Sequence, residues 1–331
     1  MKLKIAFAGL RHGHITALYK SAEKNNGCEI TAVSEEDAAA RKNAAEVWKI
    51  NTTHDSFAKM LAEVSCDAVA IGDYYGIRGS RAIAALKAGK HIISDKPLCT
   101  SMKELKEIKK LAQKNNLKVG CMLDLRESPN VAAVKKMIDE GRLGSIHAMY
   151  FGGQHPLLYG TRPGWYFEKG KHGGTINDIA VHLVDLAQWF TGKSITELSA
   201  ARTWNASAAE CPYFNDSAQL MFNVGGKCGV IADVSYLMPD SIGYTSPLYW
   251  KITVWGSKGM VDFAYSDKGV RAVCSNEKEM HMEPQAEPGI DYLNSFLSDI
   301  SGKPLSLCTE SVLDVAEKTL LLQEMADKAA R

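Results

Sequence analysis

Apolar positions in the first 120 residues follow one repeated rhythm. A short run rich in Val, Ile and Ala leads into a turn and then into a segment with apolar residues at helical spacing. This alternation predicts parallel strands joined by crossover helices. Strands are expected at Lys4 to Gly9, Glu29 to Ser34, Ala68 to Gly72, His91 to Ser94 and Lys118 to Met122. Their near-continuous apolar character is that of strands covered by helices on both faces. Helices are expected at His14 to Glu23, Glu36 to Trp48, Asp55 to Glu63, Arg78 to Lys87 and Met102 to Lys114. Ser101 and Glu104 form the pattern of a capping box at the start of the last one. Gly89 is a stop signal for the helix before it.

Beyond residue 122 the rhythm changes. A helix expected over Asn130 to Glu140 gives way to strand-like runs with few helices between them: Ser145 to Gly152, Ala218 to Val224, Cys228 to Tyr236, Trp250 to Trp255 and Gly259 to Tyr265. That arrangement predicts a largely antiparallel sheet. One long helix, Ile176 to Phe190, interrupts the strands, and another, Ser311 to Lys328, ends the pattern. The expected fold class is therefore α/β, with a doubly wound parallel sheet of Rossmann type over residues 1–122 and an α+β domain over 123–331 built on a large, mostly antiparallel open sheet. The last helix is a candidate to pack back on the first domain. Two domains suit the length, because single cores stop growing near roughly 250 to 300 residues and the chain has 331.

Charge narrows the function classes. Lys and Arg total 39 against 38 Asp and Glu, and no window clusters basic residues without interleaved acids. A nucleic-acid partner recognised through phosphate is excluded on that ground. No apolar stretch approaches the ~18 residues of a membrane helix, and the run Ile5 to Leu10 stops at Arg11, too short for a signal-peptide core. The chain is expected to be cytoplasmic, with eight scattered cysteines as free thiols. With no CxxC and no Cys/His cluster at zinc spacing, no metal site is expected.

The residue pattern singles out several candidate sites. The first strand runs into Gly9-Leu10-Arg11-His12-Gly13-His14 and then a helix, the place of a dinucleotide-binding loop. Gly9 keeps the tight turn, whereas Arg11 and His14 stand where GxGxxG has its second and third glycines. A plain strand–helix turn is the competing reading, and Arg11 can offset its bulk by pairing with phosphate. The second strand ends at Ser34-Glu35, which places a carboxylate about 20 residues beyond the loop, where a ribose 2′-hydroxyl is read. Glu35 there would repel a 2′-phosphate and favour NAD over NADP; a helix N-terminal acid is the alternative, which Glu36 and Asp37 fit at least as well. The fourth strand leads into Ser94-Asp95-Lys96-Pro97, where a lysine at the sheet's carboxyl edge can stabilise a developing oxyanion, or lie exposed in a loop.

The helix from Ile176 is apolar on nearly every face, yet Asp178, His182 and Asp185 fall at i, i+4 and i+7. Burying such groups is costly unless they are paired or face a polar cavity. Asp178 and His182 therefore read as a site, with the histidine as general acid/base and the aspartate orienting substrate or imidazole. A capping Asp178 and a satisfied core His182 are the plain alternatives. A metal pair at this spacing lacks a third ligand. Just before this helix, Gln154-His155-Pro156 and Arg162-Pro163-Gly164-Trp165-Tyr166-Phe167 carry the groups of a carbohydrate-sized pocket, or of edge packing.

Together these residues resemble the Gfo/Idh/MocA oxidoreductases, the family of glucose-fructose oxidoreductase and inositol dehydrogenase. The resemblance spans nearly the whole chain. It rests on the glycine loop, Cys66-Asp67-Ala68-Val69, Ala84 to His91 with Ser94-Asp95-Lys96-Pro97, Arg126 with Pro129, and Gly173-Gly174 through Asp178 and His182 to Asp185. It implies a Rossmann domain and an open-sheet domain, bound NAD(P), and a sugar, cyclitol or related polyhydroxylated substrate. The family's catalytic lysine falls on Lys96, and its aspartate and histidine on Asp178 and His182. In that scheme His182 takes the hydroxyl proton as hydride leaves for nicotinamide C4, Lys96 polarises the hydroxyl oxygen, and Asp178 positions an adjacent hydroxyl. The implied cofactor contacts are Gly9, Arg11, His12, Gly13, Glu35, Asp73, Asp95 and Lys96; the substrate contacts are His155, Arg162, Trp165 and Asp178.

The chain departs from the family pattern where Asp95 replaces the usual glutamate, where Gly72-Asp73-Tyr74-Tyr75 replaces a Thr-Pro-Asn turn, and where Arg78 replaces a common histidine. Two other functions compete with net dehydrogenation. In one, a tightly held NAD oxidises a glycoside transiently to permit elimination. In the other, the chain is a non-catalytic ligand sensor that retains the fold. A homo-oligomer, dimer or tetramer, is expected through the open sheet face.

Overall fold

The computed structural model describes residues 2–245, 248–275, 277–284 and 291–329. The chain divides into two compact units, one of Met1–Met122, Lys169–Gly173 and Tyr292–Glu317, the other of Leu123–Glu168, Gly174–Asp291 and Lys318–Arg331.

In the first unit β1 (Leu3–Ala8), α1 (Ile15–Lys24), β2 (Cys28–Ser34), α2 (Ala38–Asn43), α3 (Phe57–Glu63), β3 (Ala68–Ile71), α4 (Tyr75–Lys87), β4 (His91–Ser94), α5 (Met102–Asn115) and β5 (Val119–Cys121) alternate along the chain. All sheet pairings are parallel, in the order β2-β1-β3-β4-β5. Every residue from Ile5 to Ala8 and from Ala68 to Ile71 is fully buried, which accounts for the unbroken apolar runs. Strand order reverses at β1 and β3, so their carboxyl ends form the switch point where open α/β sheets take ligands.

Three details differ from the sequence reading. The helix expected over 36–48 is α2 followed by a π-helical turn, Ala44–Trp48, that ends at left-handed Lys49. Ser101 makes no side-chain cap bond, so the capping box is not formed; Glu104 instead occupies the space beside Gly79 of α4, where a Cβ would stand 2.3 Å from its carboxylate. Helix α4 begins at Tyr75 rather than Arg78, after a turn in which the Asp73 carboxylate accepts from the Tyr74 amide at 2.7 Å.

The second unit holds α6 (Pro129–Asp139), β6 (Ile146–Pro156), α7 (Val181–Thr191), β7 (Ile195–Trp204), β8 (Ser217–Val224), β9 (Cys228–Met238), β10 (Lys251–Gly256), β11 (Gly259–Phe263), β12 (Val270–Cys274) and β13 (Met280–Met282). They form one sheet, β13-β12-β11-β10-β6-β9-β8-β7, antiparallel except between β6 and β9. Strands β7, β12 and β13 were not expected. Edge strand β7 buries few of its positions and β12 alternates over only five residues, so neither shows an apolar run. One face of the sheet is buried under α7. The other exposes Met221, Ile231, Trp255 and Val273, brought onto one side by the Met221–Ile231, Trp255–Met260 and Met260–Val273 registers.

The chain continues into α8 (Tyr292–Ile300), also unexpected, and α9 (Thr309–Ala329). Residues up to Glu317 belong with the first unit, where Phe296 packs into the space left by Gly120. Among the described residues no helix is long and apolar enough to cross a membrane.

Candidate functional site

In the first unit, β1 delivers Gly9 in a left-handed conformation (φ +84°), and a Cβ there would lie 2.6 Å from that of Asp73. Only glycine fits both demands. Next to it, Arg11 spans Glu35 Oε1 (3.1 Å) and Asp73 Oδ1 (3.3 Å) and lies over the Tyr74 ring. Burial alone would push the Arg11 pKa down, but Asp73 and Glu35 outweigh it and keep the guanidinium charged. The fully buried Glu35 also accepts from the amides of Leu10 (2.5 Å) and Asp37 (2.8 Å). The residue expected at a ribose thus braces the glycine turn. Asp73 pairs in addition with Arg81 at 2.8 Å, although burial still raises its carboxyl above the usual range.

A second cluster surrounds Asp95, fully buried at the end of β4. Its Oδ2 meets His12 Nδ1 and, at 2.8 Å, Arg78. Arg78 also donates to the carbonyls of Asp73 (2.7 Å) and Lys96, which pins the main chain of Lys96 ahead of a cis peptide to Pro97. Burial opposes ionisation of Asp95, but Arg78 and then His12 hold its pKa well below the ordinary carboxylate range. Burial pushes His12 down to about 3 despite that carboxylate. A neutral His12 beside an ionised Asp95 carries its proton on Nδ1, which leaves Nε2 to accept from Tyr75 Oη at 3.1 Å.

These residues fit a dinucleotide. Among the described residues no acceptor is bonded to the Gly13 and His14 amides at the N-terminus of α1, the position that holds a diphosphate. Gly9, Arg11, His12, Gly13, Asp73, Asp95 and Lys96 all lie at or beside the carboxyl ends of β1, β3 and β4.

In the second unit Gly174 makes the turn into the site helix possible. A Cβ on Gly174 (φ +100°) would stand 2.2 Å from Gln323 Oε1. That oxygen accepts from the amides of Ile176 (3.1 Å) and Asn177 (3.3 Å), so Gln323 satisfies two donors of the first turn. The turn Ile176–Ala180 is π-helical and leads into α7. The extra residue in its turn alters the stripe implied by simple spacing. Asp178 accepts from Tyr236 Oη of β9, His182 Nε2 lies 3.7 Å from Asp124 Oδ1, and Asp185 is bound bidentately by Arg126 (2.8 and 2.5 Å).

Aromatic rings surround this arrangement. Arg162 donates to the carbonyls of Leu157 (2.7 Å) and Pro156 (2.8 Å) and lies over Tyr166 and Tyr236. His155 Nδ1 lies 3.2 Å from the Gly153 carbonyl, and its ring stands 5.0 Å from those of Tyr249 and Trp250. Trp250 also meets the His182 ring at 5.4 Å. Trp165 is buried and stacked on Tyr166. Burial, and then Asp178, raise the Tyr236 hydroxyl well above its ordinary pKa, so it stays a donor. A cavity of about 590 Å³ reaches Tyr236 and is lined also by Leu157, Tyr159, Cys211 and Asp240. Sequence reading missed Tyr236, Tyr249, Trp250, Asp124 and Gln323. The only local signal for them was polar or aromatic residues at the ends of apolar runs.

Residues 3–122 match the family described as "Oxidoreductase family, NAD-binding Rossmann fold", and residues 131–262 match the GFO/IDH/MocA C-terminal domain. Levoglucosan dehydrogenase of Pseudarthrobacter phenanthrenivorans is 28% identical over 177 residues, 52% of this chain and 45% of the relative. Inositol 2-dehydrogenase 2 of Saccharopolyspora erythraea is 24% identical over 225 residues, 66% of this chain and 62% of that one. The matched region is thus less than two thirds of either relative's length. Among solved structures, an oxidoreductase from Agrobacterium radiobacter in complex with NAD+, L-tartaric acid and magnesium superposes with a TM-score of 0.79 at 18% identity, covering 100% of this chain and 96% of the other. The WlbA dehydrogenase from Bordetella pertussis in complex with NADH and UDP-GlcNAcA gives 0.75 at 21% identity, covering 100% and 97%. At these identities the two structures bear on the fold alone.

Proposed function

Because the chain belongs to the GFO/IDH/MocA family of NAD-binding oxidoreductases, we propose that it transfers a hydride between NAD and a hydroxyl-bearing carbon of a sugar, cyclitol or sugar derivative. The observation that carries this reading is the pair Asp178 and His182, each 3% exposed, in a helix that is mostly apolar. Buried ionisable groups at that cost are kept for chemistry or for pairing, and of the three in this helix Asp185 is held bidentately by Arg126.

His182 takes the proton of the reacting hydroxyl. Asp124, its side chain 43% exposed and 3.7 Å from Nε2, offers that proton a way to solvent. Asp178, oriented by the Tyr236 hydroxyl, accepts from a neighbouring substrate hydroxyl. Lys96 is the lysine to which the family resemblance assigns stabilisation of the developing oxyanion. NAD supplies a hydride acceptor at nicotinamide C4, and the glycine turn with Arg11 holds its diphosphate. The rings of Tyr236, Tyr249 and Trp250 suit the apolar face of a sugar, with His155 and Arg162 framing them. The Glu35 carboxylate just past β2, although paired with Arg11, is the ground for reading NAD rather than NADP.

Titration of the purified protein with NADH and NADPH, read by nicotinamide fluorescence, tests this. NADH is expected to bind more tightly, and reduced cofactor is expected to accumulate on turnover of a polyol or sugar. No binding of either nucleotide at about millimolar concentration would remove the hydride-transfer reading, since typical cofactor and substrate constants lie below that.

The exposed apolar residues Met221, Ile231, Trp255 and Val273 support a homo-oligomer, dimer or tetramer, joined through the open sheet face. Ile231→Glu is expected to dissociate it in sedimentation equilibrium. An unchanged mass would place the interface elsewhere.

A further inference from the structure

We propose that His12, His14 and Asp95 form a binding site for one divalent transition-metal ion of the zinc class. His12 and His14 come from the glycine turn, and Asp95 comes from the end of β4, 83 residues beyond His12. No local spacing could announce such a set. Their donor atoms all lie within 4.8 Å of one another. A tetrahedral ion with bonds of about 2.0–2.1 Å holds its ligands about 3.3 Å apart, close to the 3.6 Å between His14 Nδ1 and Asp95 Oδ1.

Asp95 supplies an independent sign of a missing cation. Its Oδ2 is committed to Arg78 and His12, while buried Oδ1 makes no hydrogen bond among the described residues and has His14 Nδ1 beside it at 3.6 Å. An orphaned buried carboxylate oxygen is costly. Bonding of one oxygen to a metal, with the other held by Arg78, removes that cost and gives the oriented monodentate ligand usual in metal sites. His12 is equally prepared. When Nδ1 binds the ion, its proton is carried on Nε2 instead and donates to Tyr75 Oη, already 3.1 Å away.

Two imidazoles and one carboxylate select Zn2+, Co2+ or Ni2+ over Mg2+ and Ca2+. Three protein ligands leave a coordination position open for water or an anionic oxygen. The site shares His12 and Asp95 with the implied cofactor contacts but takes no part in the hydride transfer itself. The test is run without nucleotide, so its failure leaves the hydride-transfer reading standing.

Protein stripped with a chelator is titrated with Co2+. One ion per chain is expected, with visible d–d absorption, no thiolate-to-cobalt charge-transfer band, and displacement by Zn2+. The His14 side chain is 48% exposed, so His14→Ala leaves the core intact; it is expected to weaken Co2+ binding by at least about tenfold. His14→Asp, which restores a ligand, is expected to recover part of that loss. Absence of a Co2+ spectrum at millimolar metal, a thiolate band, or unchanged affinity in His14→Ala would each overturn the proposal.

Discussion

In the first unit the buried carboxylates of Glu35, Asp73 and Asp95 each meet an arginine, through Arg11, Arg81 and Arg78. In the second, Asp178 meets the phenol of Tyr236, and His182 faces the half-exposed Asp124. Guanidinium groups meet the carboxylates in one place, and a phenol and a histidine meet them in the other. In a low-dielectric interior an arginine holds a carboxylate ionised and immobile, which suits a rigid cradle for a cofactor. A phenol orients a carboxylate without neutralising it, which suits a group that must bind a hydroxyl or respond to a moving proton. The helix of the second unit contains both solutions: Asp185 is clamped by Arg126, and Asp178 accepts from the Tyr236 hydroxyl.

The largest effect that tests this contrast is on turnover. His182→Ala is expected to lower kcat about 10²- to 10⁴-fold, the range for a general acid/base, while NADH affinity stays near wild type; steady-state kinetics with a fluorescence titration reads both. Unchanged turnover would make His182 a packing residue. On the other side of the contrast, Arg78→Met strands Asp95 as a buried charge. It is expected to cost about 3–5 kcal/mol of stability by urea denaturation. A loss well under about 1 kcal/mol would mean that the first unit's charge network is not self-balancing, since exposed pairs have that value.

A smaller effect is expected with pH. The unfolded chain protonates His12 near its ordinary 6.5, whereas in the folded protein burial holds it down at about 3. Between those values only the unfolded chain carries the extra proton. The His12 contribution is therefore fully present above about 6.5 and is lost as pH falls towards about 3. Urea midpoints across that window are expected to fall less steeply in His12→Asn than in wild type. Equal slopes would assign the acid sensitivity to other groups.

The five strands of the first unit were legible within about two residues because helices cover both faces of that sheet and leave unbroken apolar runs. Edge strand β7 and the short β12 and β13 were not, since a strand with one wet face, or with three to five residues, carries too little pattern. Among the proposed site residues, Asp178 and His182 stood out as polar groups in a mostly apolar helix, and Lys96 stood out by its place at a strand end. Their helpers were silent. Gln323 is 147 positions from the amide it caps, and Tyr236 is 58 from Asp178.

The sequence by itself determined the order of strands and helices, the glycine turn at Gly9 and the family to which the chain belongs, because each of these depends on neighbours along the chain. Only the tertiary structure decided which charge meets which. Glu35, expected at a ribose, braces its own loop, Asp185 is bound by Arg126, and His12, His14 and Asp95 meet across the ends of β1 and β4. Pairings of that kind are made across the ends of a sheet or between packed elements, where distance in space bears no relation to distance along the chain.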